Sequence, residues 1–161
     1  MELYFQEKLS LNGKVVITDA EENPIYTGKK SMLGKGKLFL LNKEGKKVIT
    51  ILEYNGLFKK GFVIKKGRKK IAMLKKKFSI GNQKFSVKKL GWDITGNFLS
   101  KEYKITKGEE AIAEIKKTKL ISLLEAYSID VHNEDKVEEV LGVVLVLNKI
   151  LGDKKKRLIK K

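Results

Sequence analysis

The sequence predicts a mainly β domain with one helix: about twelve antiparallel strands in a closed barrel that encloses an apolar C-terminal α-helix. Short β-branched and aromatic runs, bounded by Gly-, Asn- and Lys-rich turns, follow one another from near Leu3 to Val131. Their spacing is mostly ~8–12 residues, the mark of a sandwich or barrel. The chain then ends in VEEVLGVVLVLNKILGDKKKRLIKK (137–161), a helix-length segment whose middle has no polar face. That segment is too short to cross a bilayer, so protein must surround it.

In chain order, an opening strand is expected near Leu3 to Lys8. GKVVITD (13–19), NPIYTGK (23–29), KLFLLN (37–42) and KVITILE (47–53) come next. KKGFVIKK (59–66), KKIAMLKK (69–76) and QKFSVKK (83–89) continue the pattern. GWDITGNF (91–98), EYKIT (102–106), AIAEIK (111–116) and AYSIDV (126–131) complete it. Pro24, the single proline, falls at a turn-to-strand junction, where its missing N–H costs little. GKKVITIL (45–52), GRKKIAML (67–74) and GEEAIAEI (108–115) share a glycine and a following apolar pattern. Each reads as a hairpin turn feeding a strand, and their unequal spacing excludes a solenoid. No stretch resembles a linker. One domain is expected over 1–152, with a core helix at 134–151 and a polybasic tail at 153–161.

The helix has its own signals. Asn133 is a suitable N-cap, and Glu134, Asp135, Glu138 and Glu139 set negative charge at the positive end of the dipole. Gly152 suits a C-terminal stop, with lysines beyond it. A helix from Glu134 to Leu151 would be ~27 Å long. Only Val140 to Leu147 run without a polar group, whereas a membrane span needs about 20 residues. Leaving the apolar side chains between Val137 and Leu151 in water would forfeit ~15–30 kcal/mol. Typical net stability is only about 5–15 kcal/mol, so the helix belongs inside the barrel.

Composition limits the chemistry. The 161 residues contain no cysteine, which rules out disulfides and thiolate catalysis and fits a reducing, cytoplasmic location. The start, MELYFQEKLS, lacks the pattern of a secretory signal. Net charge is +17, yet only Arg68 and Arg157 among the 36 basic residues are arginine. Lysine is a hydrated point charge without the planar fork that reads guanine or phosphate bidentately. Thirteen basic residues and no acidic one lie between Tyr54 and Trp92. Such a footprint suits an anionic polymer or membrane surface; a lysine-biased solvated exterior is the plainer alternative. The candidate anion-binding residues are Lys59, Lys60, Lys65, Lys66, Arg68, Lys69, Lys70, Lys75, Lys76 and Lys77. They fall on neighbouring strand ends and turns and are expected to gather on one rim.

Other constellations fail on spacing or composition. Ser128, Asp130 and His132 share a strand face, but residues two apart on a strand lie ~6.5–7 Å apart, too far for a nucleophile and its base. They read as an outward polar face, with Tyr127, Ile129 and Val131 inward. His132 with Asp130, Glu134 and Asp135 reads as surface and helix-start chemistry, and no metal or other cofactor is expected. LGKGK (33–37) lacks the Lys-Ser/Thr of a P-loop and reads as a turn. Phe62 is a lone aromatic where an RNA-stacking strand needs two or three; Phe78, Phe85 and Trp92 read as core.

The stretch LGWDITGNFLSKEYKIT (90–106), followed by AIAEIKKTKLISLLEAYSIDV (111–131) and the apolar helix, resembles the LURP-one-related family. That group has the tubby-like fold and is related to phospholipid scramblases. MELYFQEK and NPIYT match as well, so the resemblance covers nearly the whole chain; it departs at Leu120 to Leu123. It implies a twelve-stranded barrel around the helix. Tubby binds phosphoinositides and scramblases act at membranes, while many bacterial members have no known role.

The expected function is a non-catalytic domain docking on anionic phospholipid through a lysine-rich rim, peripherally and as a monomer. A protein-interaction scaffold without a lipid role and a nonspecific nucleic-acid binder are the alternatives. No small-molecule substrate is expected.

Overall fold

In a computed structural model of the chain, the strands are β1 (Glu2–Phe5), β2 (Lys14–Thr18), β3 (Pro24–Lys30), β4 (Lys37–Leu41), β5 (Lys47–Asn55) and β6 (Lys60–Lys66). They continue as β7 (Lys69–Lys75), β8 (Lys84–Lys88), β9 (Trp92–Asn97), β10 (Glu102–Lys107), β11 (Glu110–Lys119) and β12 (Glu125–Val131), and then comes α1 (Val137–Ile159). The structure describes residues 1–5, 14–31, 36–57, 60–75, 84–98, 100–119 and 125–159, with side chains from 126 to 151 in the last of these.

Every strand pairs antiparallel with its neighbours in sequence, and β1 pairs with β12, so the sheet is a closed barrel. Closure leaves no sheet edge to template aggregation. At the seam Leu3 pairs with Ile129 and Phe5 with Tyr127, whose rings stack at 5.1 Å. The Met1 amino group donates to the Val131 carbonyl at 2.8 Å and extends the seam.

Turn chemistry sets the hairpins. Gly45, Gly67 and Gly108, the shared glycines of the three similar segments, have φ of 77°, 65° and 59°. These left-handed values cost glycine no Cβ clash and fit tight hairpins. What repeats is the turn, not the face. Ile49 and Ile112 point into the core, whereas Ile71 is half-buried, beside a register shift between Ile64 and Lys65.

The wall alternates as a one-sided sheet should. In β8, Phe85 and Val87 are buried while Lys84, Ser86 and Lys88 are exposed. Ile51, Phe62, Ile64, Leu74, Ile94, Ile105 and Ile129 line the interior with no exposed surface. Against them α1 lays Val140, Leu141, Val143, Val146 and Leu147, also without exposed surface. The expected enclosure of the helix is therefore observed. Two glycines allow close approach between helix and wall. A Cβ on Gly142 would lie 3.3 Å from Ile49 and Ile64, and one on Gly28 would lie 2.8 Å from Leu145.

The helix starts where expected, through one 3-10 turn (Glu134–Lys136). Asn133 caps it, its Oδ1 accepting from the Asp135 amide at 3.0 Å. The expected stop at Gly152 does not occur: the α-helical backbone runs on to Ile159, through most of the segment read as a tail. A mid-helix glycine costs only about 1 kcal/mol. The lysines, Arg157 and Leu158 beyond it are strong helix formers, and their positive charge suits a helix C-terminus.

Tyr103 on β10 is 4% exposed, packed against Phe98, which in turn meets Phe85 edge-on at 5.0 Å. Burial pushes its phenol well above the ordinary value of 10.0. The folded group keeps a proton that the unfolded chain loses above about pH 10, so this stabilisation is complete below that pH and declines above it. Tyr103→Phe should reduce the alkaline loss of stability by up to about 1.4 kcal/mol per pH unit. Urea unfolding of both proteins from about pH 9 to about pH 11 reads this directly. Identical slopes would contradict a buried neutral phenol.

Candidate functional site

Hairpin connectivity gives the barrel two chemically different ends. At the head end α1 begins, and the chain turns between β2 and β3, β4 and β5, β6 and β7, β8 and β9, and β10 and β11. At the tail end, toward which α1 runs, the remaining connections lie. Three ion pairs fix this direction. Lys66, at the head end of β6, meets Glu138 Oε1 at 3.1 Å and Glu139 Oε1 at 3.3 Å. Lys149, further along the helix, meets Glu53 Oε2 at 3.4 Å toward the tail end of β5.

The ten expected anion-binding residues do not share a rim. Lys65, Lys66, Arg68, Lys69 and Lys70 surround the β6–β7 turn at the head end. Lys60 and Lys75 stand at the opposite, tail end, where Gly61 pairs with Lys75. Lys59, Lys76 and Lys77 lie outside the described residues. The reason is parity: successive hairpin turns alternate between the two ends of an up-and-down barrel. Lys66 is in addition committed to the start of the helix. Its amine is desolvated, but the hydrogen bond it donates to Glu138 and the charge of Glu139 hold it above its ordinary value. Glu139 is itself buried, and its second oxygen has no protein partner among the described residues.

The head end mixes signs. Asp19, Glu21, Glu44, Glu109, Glu134 and Asp135 share it with Lys43, Lys46, Arg68 and Lys89 in the turns and with Lys47, Lys66, Lys69, Lys88 and Lys107 at the strand termini. The tail end is different. Exposed lysines occupy its strand termini at Lys14, Lys30, Lys37, Lys60 and Lys75. Lys84 and Lys119 extend the ring, with Lys84 loosely paired to Asp93 at 3.8 Å. Glu102 and Glu125 are the acidic residues among the described strand termini there. Lys75 sits against Lys88; hydrogen bonding and like-charge repulsion from Lys88 hold its amine below the ordinary value. An anion seated between the two would relieve that repulsion.

Leu57, in the β5–β6 connection at this end, is 97% exposed. One leucine between Gly56 and Phe58 carries no periodic signal, so nothing in the sequence marks it. The lysines on β2, β3, β4, β8 and β11 are scattered in the sequence, and only the barrel's closure brings them to one end.

The other candidates settle plainly. Ser128 Oγ donates to the Lys116 carbonyl at 3.4 Å, and His132 Nε2 lies 3.6 Å from Asp130 Oδ2. Ile129 and Val131 face the core, as expected for this strand. Among the described residues no group of three or more His, Cys, Asp or Glu is placed to hold a metal ion. Phe62, Phe85 and Trp92 are core residues, whereas Phe78 and most of 33–37 lie outside the described residues. Among the described residues no helix is long and apolar enough to cross a membrane.

The sequence matches the LURP-one-related family over residues 1–148. The chain belongs to that family. It is 24% identical over 153 residues to YxjI of Bacillus subtilis (strain 168), an uncharacterised protein, covering 94% of each chain. A protein of Arabidopsis thaliana solved by X-ray crystallography has the same tubby-like fold. It superposes with a TM-score of 0.66 at 18% identity, covering 92% of this chain and 90% of that one. The residues that carried the family resemblance occupy β9 to β12 and the core helix of this LURP-one-related barrel.

Proposed function

We propose that this LURP-one-related domain is non-catalytic and docks peripherally on anionic phospholipid surfaces on the cytoplasmic side, with its tail-end lysines against the headgroups. The distribution of charge carries this reading: the head-end turns gather Asp19, Glu21, Glu44, Glu109, Glu134 and Asp135, whereas lysine takes seven of the twelve tail-end strand termini against two glutamates, Glu102 and Glu125. Compact ammonium groups on separate strands suit a laterally mobile field of phosphates better than a single bidentate ligand. Each lysine near an anionic leaflet contributes about 1 kcal/mol, so five in register give reversible attachment. The resemblance to tubby and the scramblases points the same way. Stacking on single-stranded RNA has less support, since Phe62, Phe85 and Trp92 are buried.

Co-sedimentation with phosphatidylcholine vesicles, with and without phosphatidylserine, tests the proposal. Binding should require the anionic lipid and should fall steeply as salt rises. Equal binding to both vesicles would reject it. Capture by single-stranded RNA that survives moderate salt would replace it with a nucleic-acid role.

A further inference from the structure

Leu57 has a physical oddity that electrostatics leaves unexplained. Large apolar side chains in this barrel are buried or half-buried among the described residues, apart from Met1 at 48% and Leu57 at 97% exposure. Met1 extends the β1–β12 seam at the head end. Leu57 stands on a connection at the tail end, next to the strand that begins with Lys60 and across from the strand terminus at Lys75. A leucine held almost wholly in water forgoes a substantial burial free energy, and at 97% exposure it touches little of the described fold. Scattered single apolar residues on a surface are ordinary. This one differs in standing on the cationic end, where an anionic bilayer would meet it first.

We infer that the barrel stands on the bilayer by its tail end and that Leu57 inserts below the headgroups, flanked by Lys60, Lys75 and Lys37 at the phosphates. The inference rests on the anionic-surface reading above and adds to it an orientation and an apolar anchor. Lysines alone would hold the domain at the surface in a salt-reversible way. An inserted leucine adds attachment that salt does not screen. Full burial of one leucine corresponds to about tenfold or more in affinity.

The chain has no cysteine, so a single introduced thiol labels at one place. Leu57→Cys and Glu44→Cys, the latter on the exposed β4–β5 turn at the head end, would each carry a polarity-sensitive nitrobenzoxadiazole dye. On phosphatidylcholine–phosphatidylserine vesicles the dye at 57 should shift to the blue and brighten, and the dye at 44 should not change. Leu57→Glu should weaken vesicle binding about tenfold or more without altering the thermal melt, since the side chain touches little of the fold. Co-sedimentation of the unlabelled protein is measured beside both. If it binds these vesicles but the dye at 57 stays in water, or the dye at 44 shifts instead, the inserted anchor is wrong and the anionic-surface reading stands. If it binds no vesicles, both are wrong. An unchanged affinity for Leu57→Glu also overturns the anchor.

Discussion

Leu141→Asp yields a chain with no cooperative fold at 25 °C, while Leu141→Ala remains folded and loses about 2–5 kcal/mol. Leu141 has no exposed surface, and neither do Val140 and Val143 beside it. A carboxylate there would lie within the barrel's apolar interior. Its effective desolvation penalty is several kcal/mol, added to the lost packing of the leucine. Together these approach or exceed the about 5–15 kcal/mol of net stability typical of such domains. A helix lying on the outside of the barrel would tolerate the same change on its solvent face. Far-UV circular dichroism with urea titration distinguishes the cases. Leu141→Ala should shift the midpoint with an unchanged slope, whereas Leu141→Asp should show no native baseline. A Leu141→Asp protein with a wild-type midpoint would mean that the helix is not the barrel's core.

The fold was legible because its determinants are local or one-dimensional. Glycine at 45, 67 and 108 marks hairpin turns through backbone conformation alone, and each has the positive φ its place requires. The all-round apolar run Val140–Leu147 left a closed wall as its only container, and the wall closed. The end of the helix was not legible, since Gly152 is both a common stop signal and a tolerable interior residue. The candidate site was legible only in part. Hairpin neighbours are adjacent side by side, but consecutive turns sit at opposite ends, so Lys65 to Lys70 and Lys60 with Lys75 part company. That parity can be counted from the strands alone. The pairing of Lys66 with Glu138 and Glu139 cannot, because those residues lie more than seventy positions away and meet only when the helix enters the barrel.

Reversing charge at one end of the barrel should therefore abolish vesicle binding, and the same reversal at the other end should leave most of it. The tail-end variant combines Lys30→Glu, Lys37→Glu and Lys60→Glu. The head-end variant combines Arg68→Glu, Lys69→Glu and Lys70→Glu. All six side chains are exposed, and both variants change net charge by the same amount, so general attraction between a +17 protein and an anionic surface falls equally in each. What differs is place. β3 and β4 are paired through Lys30 and Leu38, which brings Lys30 beside Lys37, and Lys60 begins β6 one strand beyond β5. Removing three lysines from the contact forfeits about 3 kcal/mol, and the three carboxylates add repulsion of similar size. The tail-end variant should then bind phosphatidylserine-containing vesicles at least about a hundredfold more weakly. The head-end groups stand the length of a strand away. Strand rise is about 3.3 Å per residue, so a seven-residue strand spans ~20 Å, beyond the ~8 Å over which physiological salt screens charge. Co-sedimentation at fixed salt, with thermal melts to establish that both variants are folded, gives the comparison. Equal losses would mean that the domain is held by its net charge in no fixed orientation. A larger loss from the head-end variant would move the docking face to the β6–β7 turn.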